Sequence, residues 1–166
     1  MYGKKRGEIY KNEELYYMMI ALGIENGIEG LRYGKVVIAT DADNDGFHIR
    51  NLLLTYFLNY FEELVISGRV FILETPLFRV RNKKETVYCY SEAERDEASA
   101  RLSTPEVTRF KGLGEINPSE FGQFIGPDMR IVPVNVKSIK SVPETLEFFM
   151  GKNTPQRREF IMENLI

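Results

Sequence analysis

One stretch, Lys35 to Phe57, limits what this chain can fold into more than any other. Val36 to Thr40 is a run of β-branched and small apolar residues, the composition of a strand buried on both faces. It stops at three acids on alternate positions, Asp41, Asp43 and Asp45. Gly46 follows, where a turn is expected, and then an apolar-rich segment that reads as a helix. Strand, acidic turn, helix is the layout of an open α/β sheet, whose ligands sit outside the carboxyl ends of the strands. The acids fall at that edge. Two carboxylates about 5 Å apart repel by about 3 kcal/mol at an effective dielectric of about 20. Solvation, a raised pKa or a cation among them relieves this. Hard oxygens on a short turn suit Mg²⁺, which takes one or two carboxylates and keeps its waters for a phosphate. A solvated acidic turn is the competing reading.

The 166 residues are enough for one ordinary domain, or a domain with a small appendage. A hydrophobic content of 43% and a charged content of 28% are those of a soluble globular chain. Apolar runs are short and broken by charges, so no membrane span is expected, and no apolar stretch of a signal peptide follows the basic start. Cys89 is the only cysteine, which rules out an internal disulfide and makes a reducing cytoplasm the expected setting. With a formal net charge of −2, any DNA contact must come from local basic clusters.

The first eleven residues, with Lys4, Lys5, Arg6 and Lys11, read as an extended basic arm. Asn12 is placed to cap a helix carrying Leu15, Met18, Met19 and Leu22, with Gly23 as its stop. The helix after Gly46 is expected to run to about Ile66, buried on several sides, with Gly68 as terminator. Val70 to Leu73 is a second strand. Leu77 to Arg81 and Val87 to Tyr90 form a hairpin, with the basic cluster Arg79, Arg81, Lys83 and Lys84 ending in a polar turn. Ser91 caps a short helix to Leu102, and Val107 to Phe110 is a strand leading into the glycine loop Lys111-Gly112-Leu113-Gly114-Glu115. Asn117-Pro118 opens a helix to about Phe124, Arg130 to Val136 is β-rich, and helices are expected over Pro143 to Met150 and Pro155 to Leu165. A boundary near residue 116 separates an α/β part from a more irregular tail.

Three uses of an Asp-x-Asp start compete. An EF-hand loop would need a bidentate Glu where Leu52 stands, and a preceding helix where the sequence is strand-like. A phosphatase of the haloacid dehalogenase type would use Asp41 as nucleophile, Asp43 as acid/base and Lys111 as its lysine, but it expects Thr or Val where Asp45 stands. The third fits better. Thr40-Asp41-Ala42-Asp43-Asn44-Asp45-Gly46-Phe47-His48-Ile49-Arg50, then Thr75-Pro76-Leu77-Phe78, then Arg109-Phe110-Lys111-Gly112-Leu113-Gly114-Glu115-Ile116-Asn117-Pro118, resembles the Toprim region of bacterial type IIA topoisomerase B subunits, of gyrase or topoisomerase IV. Met150-Gly151 and Arg157-Arg158-x-Phe160-Ile161-x-x-Asn164 resemble their C-terminus.

The resemblance implies an α/β fold: a partial, Rossmann-like Toprim domain with a mostly parallel sheet over residues 1–115, and a small irregular α+β tail over 116–166. It implies Mg²⁺ on Asp41 and Asp43, with Asp45 as a supporting acid, beside a scissile DNA phosphate. Lys111 joins Asp41 and Asp43 as a catalytic candidate. Arg109, Lys111, Gly112, Gly114 and His48 become DNA-contact candidates, and Arg50 is placed to pair with an Asp. Arg157 and Arg158 read as helix-surface or subunit-contact residues. The implied partners are double-stranded DNA and the A subunit, in an A2B2 assembly in the cytoplasm near the nucleoid, and the attacking tyrosine belongs to the A subunit. DNA would be recognised mainly by its backbone and deformability. The family's Glu-Gly-Asp-Ser-Ala stretch and ATP-binding domain do not occur here. The expectation is therefore a C-terminal piece of a longer polypeptide, with an incomplete metal site, no ATPase activity and no catalysis in isolation. A non-catalytic DNA- and subunit-docking module is the alternative.

Overall fold

The computed structural model describes residues 2–136 and 139–165, with the side chain of Ile139 left aside. The chain forms two compact units. One comprises the segments up to Val36, Asn51–Val70 and from Pro133 onward, and the other comprises Val37–Arg50 and Phe71–Val132.

In the first unit, helix α1 (Arg6–Ile9) replaces the expected extended arm. The Glu8 carboxylate accepts the Lys5 amide at 2.8 Å, Ile9 is buried, and the Arg6 guanidinium lies 5.0 Å over the Phe61 ring. These contacts give the arm a reason to wind. Helix α2 (Glu13–Leu22) follows, with the Asn12 side chain accepting the Leu15 amide at 2.9 Å and Gly23 closing the helix at φ 74°. Ile24 is fully buried beyond it.

Strand β1 (Val36–Ile38) is shorter than its apolar run, and only Ile38 is buried. The reason is its place: β1 lies at the edge of a three-stranded sheet ordered β1, β2 (Val70–Leu73), β6 (Ile131–Pro133). Helix α3 (Asn44–Tyr60) begins two residues before Gly46. Thr55, Tyr56 and Phe57, three successive residues, are all buried, so the helix is enclosed on more than one side. The Thr55 hydroxyl satisfies itself by donating to Asn51 O at 2.7 Å. The helix does not run on to Ile66. Phe61 leaves helical geometry, and its ring buries 5.2 Å from Tyr56 before α4 (Glu62–Ile66) resumes.

In the second unit, β3 (Phe78–Arg81) is the centre of an antiparallel sheet, with β4 (Thr86–Cys89) on one side and β5 (Glu106–Arg109) on the other. Phe78 stands opposite both Cys89 and Arg109. Helix α5 (Glu92–Arg101), capped by the Ser91 hydroxyl, closes a core of Phe78, Val80, Cys89, Ala98 and Leu102. A second core of Phe110, Ile116 and Phe124 sits beneath the glycine loop. Helix α6 (Pro118–Phe121) is one turn long, and the chain reaches Phe124 through i→i+3 bonds instead of the longer helix expected.

The first unit ends in α7 (Val142–Met150) and α8 (Thr154–Asn164). Arg157 of α8 is no free surface cation. Its Nη1 donates to Phe149 O at 2.7 Å and Gly151 O at 2.8 Å, satisfying carbonyls that the end of α7 leaves open. Among the described residues no helix is long and apolar enough to cross a membrane.

Candidate functional site

The acidic stretch leaves β1 and enters α3 directly. Asp43 Oδ1 accepts the Gly46 amide at 2.8 Å and Asp43 O accepts the Phe47 amide at 3.0 Å, so Asp43 occupies the helix N-cap. Gly46 is therefore no turn residue. It is required because a Cβ there would run into the Asp41 backbone carbonyl. Asp41, half-buried, accepts the Leu113 amide on Oδ1 at 2.6 Å. A Cβ on Gly112 would stand 3.2 Å from Asp41 Oδ2, so glycine lets the loop backbone lie against the carboxylate. At Gly114 a Cβ would meet open space.

The glycine loop is a 3-10 turn, Leu113–Glu115, tied back on itself by the Lys111 amide donating to Glu115 Oε2 at 2.8 Å. A cleft of about 350 Å³ is lined by Asp43 and Phe47 at the start of α3, by Phe78 of β3, and by Arg109 and Lys111. The structure thus brings Asp41, Asp43, Arg109, Lys111 and Gly112 together. Asp45 and His48 lie exposed on the first turns of α3 and do not line this cleft. Arg50 stacks 4.6 Å over the Phe47 ring, a cation–π contact in place of the expected partner Asp.

Among the described residues no three carboxylate, imidazole or thiol side chains converge as metal ligands. Two carboxylates, Asp41 and Asp43, are each held at one oxygen by a backbone amide, which leaves the other oxygen for a cation. That donor set fits Mg²⁺, which needs one or two protein carboxylates and retains several waters.

The sequence reading missed two features. The basic cluster on β3 is largely neutralised. Arg81 makes a two-pronged bond to Glu106 at 3.0 and 3.1 Å, and Arg79 pairs with Glu120 at 2.7 Å. Burial alone pushes the Glu120 carboxyl up, but the Arg79 hydrogen bond, aided by the Tyr88 hydroxyl, outweighs it and leaves the group below the usual carboxylate range. The cap was also readable from Asp43 standing three residues before the amide it accepts.

Two sequence families match the chain. The Toprim domain covers residues 6–75, and the family described as DNA gyrase B subunit, carboxyl terminus, covers residues 103–162. Over nearly its whole length the chain is similar to the B subunits of DNA topoisomerase 4 and DNA gyrase. It is 64% identical to the B subunit of DNA topoisomerase 4 from Borreliella burgdorferi over 168 residues, which covers all of this chain and 28% of that protein. It is 40% identical to the DNA gyrase B subunit of Thermus thermophilus over 169 residues, 93% of this chain and 26% of that protein. The chain therefore spans just over a quarter of the length of these relatives. The Plasmodium falciparum topoisomerase II DNA-binding, cleavage and re-ligation domain shares the fold, with a TM-score of 0.79 and 22% identity across 99% of this chain and 24% of that one.

Proposed function

We propose that this chain is the part of an ATP-dependent type IIA topoisomerase B subunit that holds Mg²⁺ and grips the DNA backbone during double-strand cleavage and religation. The observation that carries the reading is the Leu113 amide bond to Asp41, which draws the Lys111 loop onto the acids across 72 positions of sequence. Asp41 and Asp43 would hold the ion, with Asp45 as a supporting acid, and bound Mg²⁺ supplies charge neutralisation at a phosphate and at a departing sugar oxygen. The chain's own groups do the rest. The Leu113 and Gly46 amides orient the two carboxylates in advance. Arg109 and Lys111 offer cations beside them for backbone phosphates, and Gly112 keeps the loop backbone low enough for close approach.

His48 and Gly114 complete the proposed DNA-contact set, and duplex DNA and an A subunit in an A2B2 assembly are the proposed partners, in the cytoplasm. The acids and loop form a Toprim part up to about residue 115, and the remainder forms the tail. The matches at 6–75 and 103–162 support a two-part chain. The relative at 64% identity is a topoisomerase 4 B subunit, and that one match is what favours topoisomerase IV over gyrase.

The test is Asp43→Asn in the full-length B subunit with its A subunit. Asn keeps the cap bond to Gly46 and removes only the charge. Titrating Mg²⁺ against DNA cleavage is expected to show at least a tenfold higher half-saturating concentration. An unchanged titration refutes the metal role and leaves the docking module.

A further inference from the structure

Among the described residues, the loop that meets Asp41 has one long-range backbone bond, the Leu113 amide, and its other bonds, through Lys111, Gly112, Leu113 and Glu115, are local. Its position therefore depends on what holds its ends. The end before the loop is β5, and the end after it is α6. One side chain reaches both. Arg79, at the centre of β3, donates through Nη1 to Glu120 Oε1 of α6 at 2.7 Å and through Nη2 to Thr108 Oγ1 of β5 at 3.4 Å. Its guanidinium carbon also lies 5.7 Å from the centre of the Phe110 ring, the residue immediately before Lys111.

This pair is an expensive way to make a contact. The side chains are only 13% and 20% exposed, and Arg79 Nε is buried without a hydrogen-bond partner. Incompletely satisfied buried ion pairs are commonly no more stable than a hydrophobic pair of the same volume. What the planar guanidinium fork supplies that a hydrophobic pair cannot is direction, with two donors fixed at a set angle.

We propose that Arg79 is a positioning residue that clamps both ends of the Lys111–Glu115 loop, and so fixes the Leu113 amide on Asp41 and Lys111 in the cleft. It touches neither DNA nor metal and acts through the loop. The proposal rests on the functional reading above, and its test separates the two.

The variant is the paired replacement Arg79→Met with Glu120→Leu in the full-length B subunit. It keeps the buried volume and removes the direction. Hydrogen–deuterium exchange of a peptide covering residues 111–115 is expected to quicken at least tenfold. Half-saturating Mg²⁺ for DNA cleavage with the A subunit is expected to rise at least fivefold, while the melting temperature stays close to the parent's. Glu120→Gln keeps shape and one acceptor, and is expected to quicken the same exchange two- to fivefold. Arg79→Lys retains the charge but not the fork, and is expected to fall between the parent and the paired variant. Unchanged exchange at 111–115 in both the paired variant and Glu120→Gln overturns the clamp, even where Asp43→Asn abolishes cleavage. Unchanged cleavage in Asp43→Asn overturns the clamp's role in catalysis together with the functional reading.

Discussion

Gly46→Ala puts the geometry of the acidic stretch to a direct test. Gly46 is buried in the first turn of α3, and an added Cβ would strike the Asp41 carbonyl oxygen while standing 2.7 Å from its carbonyl carbon and 2.9 Å from its nitrogen. All three are backbone atoms, so no side-chain rotation clears them. Helix propensity alone favours Ala over Gly by about 1 kcal/mol. Forcing a methyl into a filled site costs about 1–3 kcal/mol, and three backbone clashes place this site at the upper end. The balance is a net loss of about 2 kcal/mol. Urea denaturation followed by circular dichroism should show the midpoint of the affected transition falling by about 1 M at an m-value of about 2 kcal/mol per molar. Because the displaced residue is Asp41, the Mg²⁺ requirement of cleavage should rise in parallel. An alanine variant more stable than the parent by about 1 kcal/mol would mean that propensity governs and that the close approach of Gly46 to Asp41 is wrong.

Burial pushes the Tyr56 hydroxyl up to about 12, and that hydroxyl donates to Leu15 O at 3.1 Å. Its folded pKa exceeds the unfolded value of 10.0, so this stability is complete below pH 10 and is lost as pH rises through 12. The total loss is on the order of 2 kcal/mol. Tyr56→Phe should lose about 1 kcal/mol at neutral pH and lack that alkaline decline, and a denaturation series from pH 8 to 12 with the same slope as the parent contradicts the assignment. Lys111→Ala in the full-length B subunit should lower the magnitude of the slope of log K for DNA against log salt by about 0.9, one phosphate contact. A slope equal to the parent's removes Lys111 from the DNA-contact set.

Features set by neighbours in sequence were legible in it. The Asn12 and Ser91 caps each bond an amide three residues on, and the β3–β4 hairpin is closed locally by Asn82, whose side chain accepts the Lys84 and Glu85 amides. The acids, Lys111 and Arg109 could be singled out by type and motif. What could not be read were consequences of distant packing. Arg6 organises α1 through Phe61, more than fifty positions away, and the edge position of β1 depends on sheet order. Arg79 looked like one of four surface cations until Glu120, 41 positions on, came to lie beside it. The start of α3 failed for another reason. Two local signals disagreed, Gly46 as a breaker and Asp43 as a cap, and the cap won because glycine there answers a steric demand from Asp41.

The bond between Asp41 and Leu113 also sets an order in time. A ribosome adds about 5–20 residues per second, so Asp41 emerges roughly 4–14 s before the amide that holds it, 72 residues later, has been made. Through that interval the nascent chain carries Asp41 unlatched on a half-built edge. An acidic stretch completed this late takes its shape only when the distant amide arrives, so its geometry belongs to the finished protein and not to the segment that carries the acids.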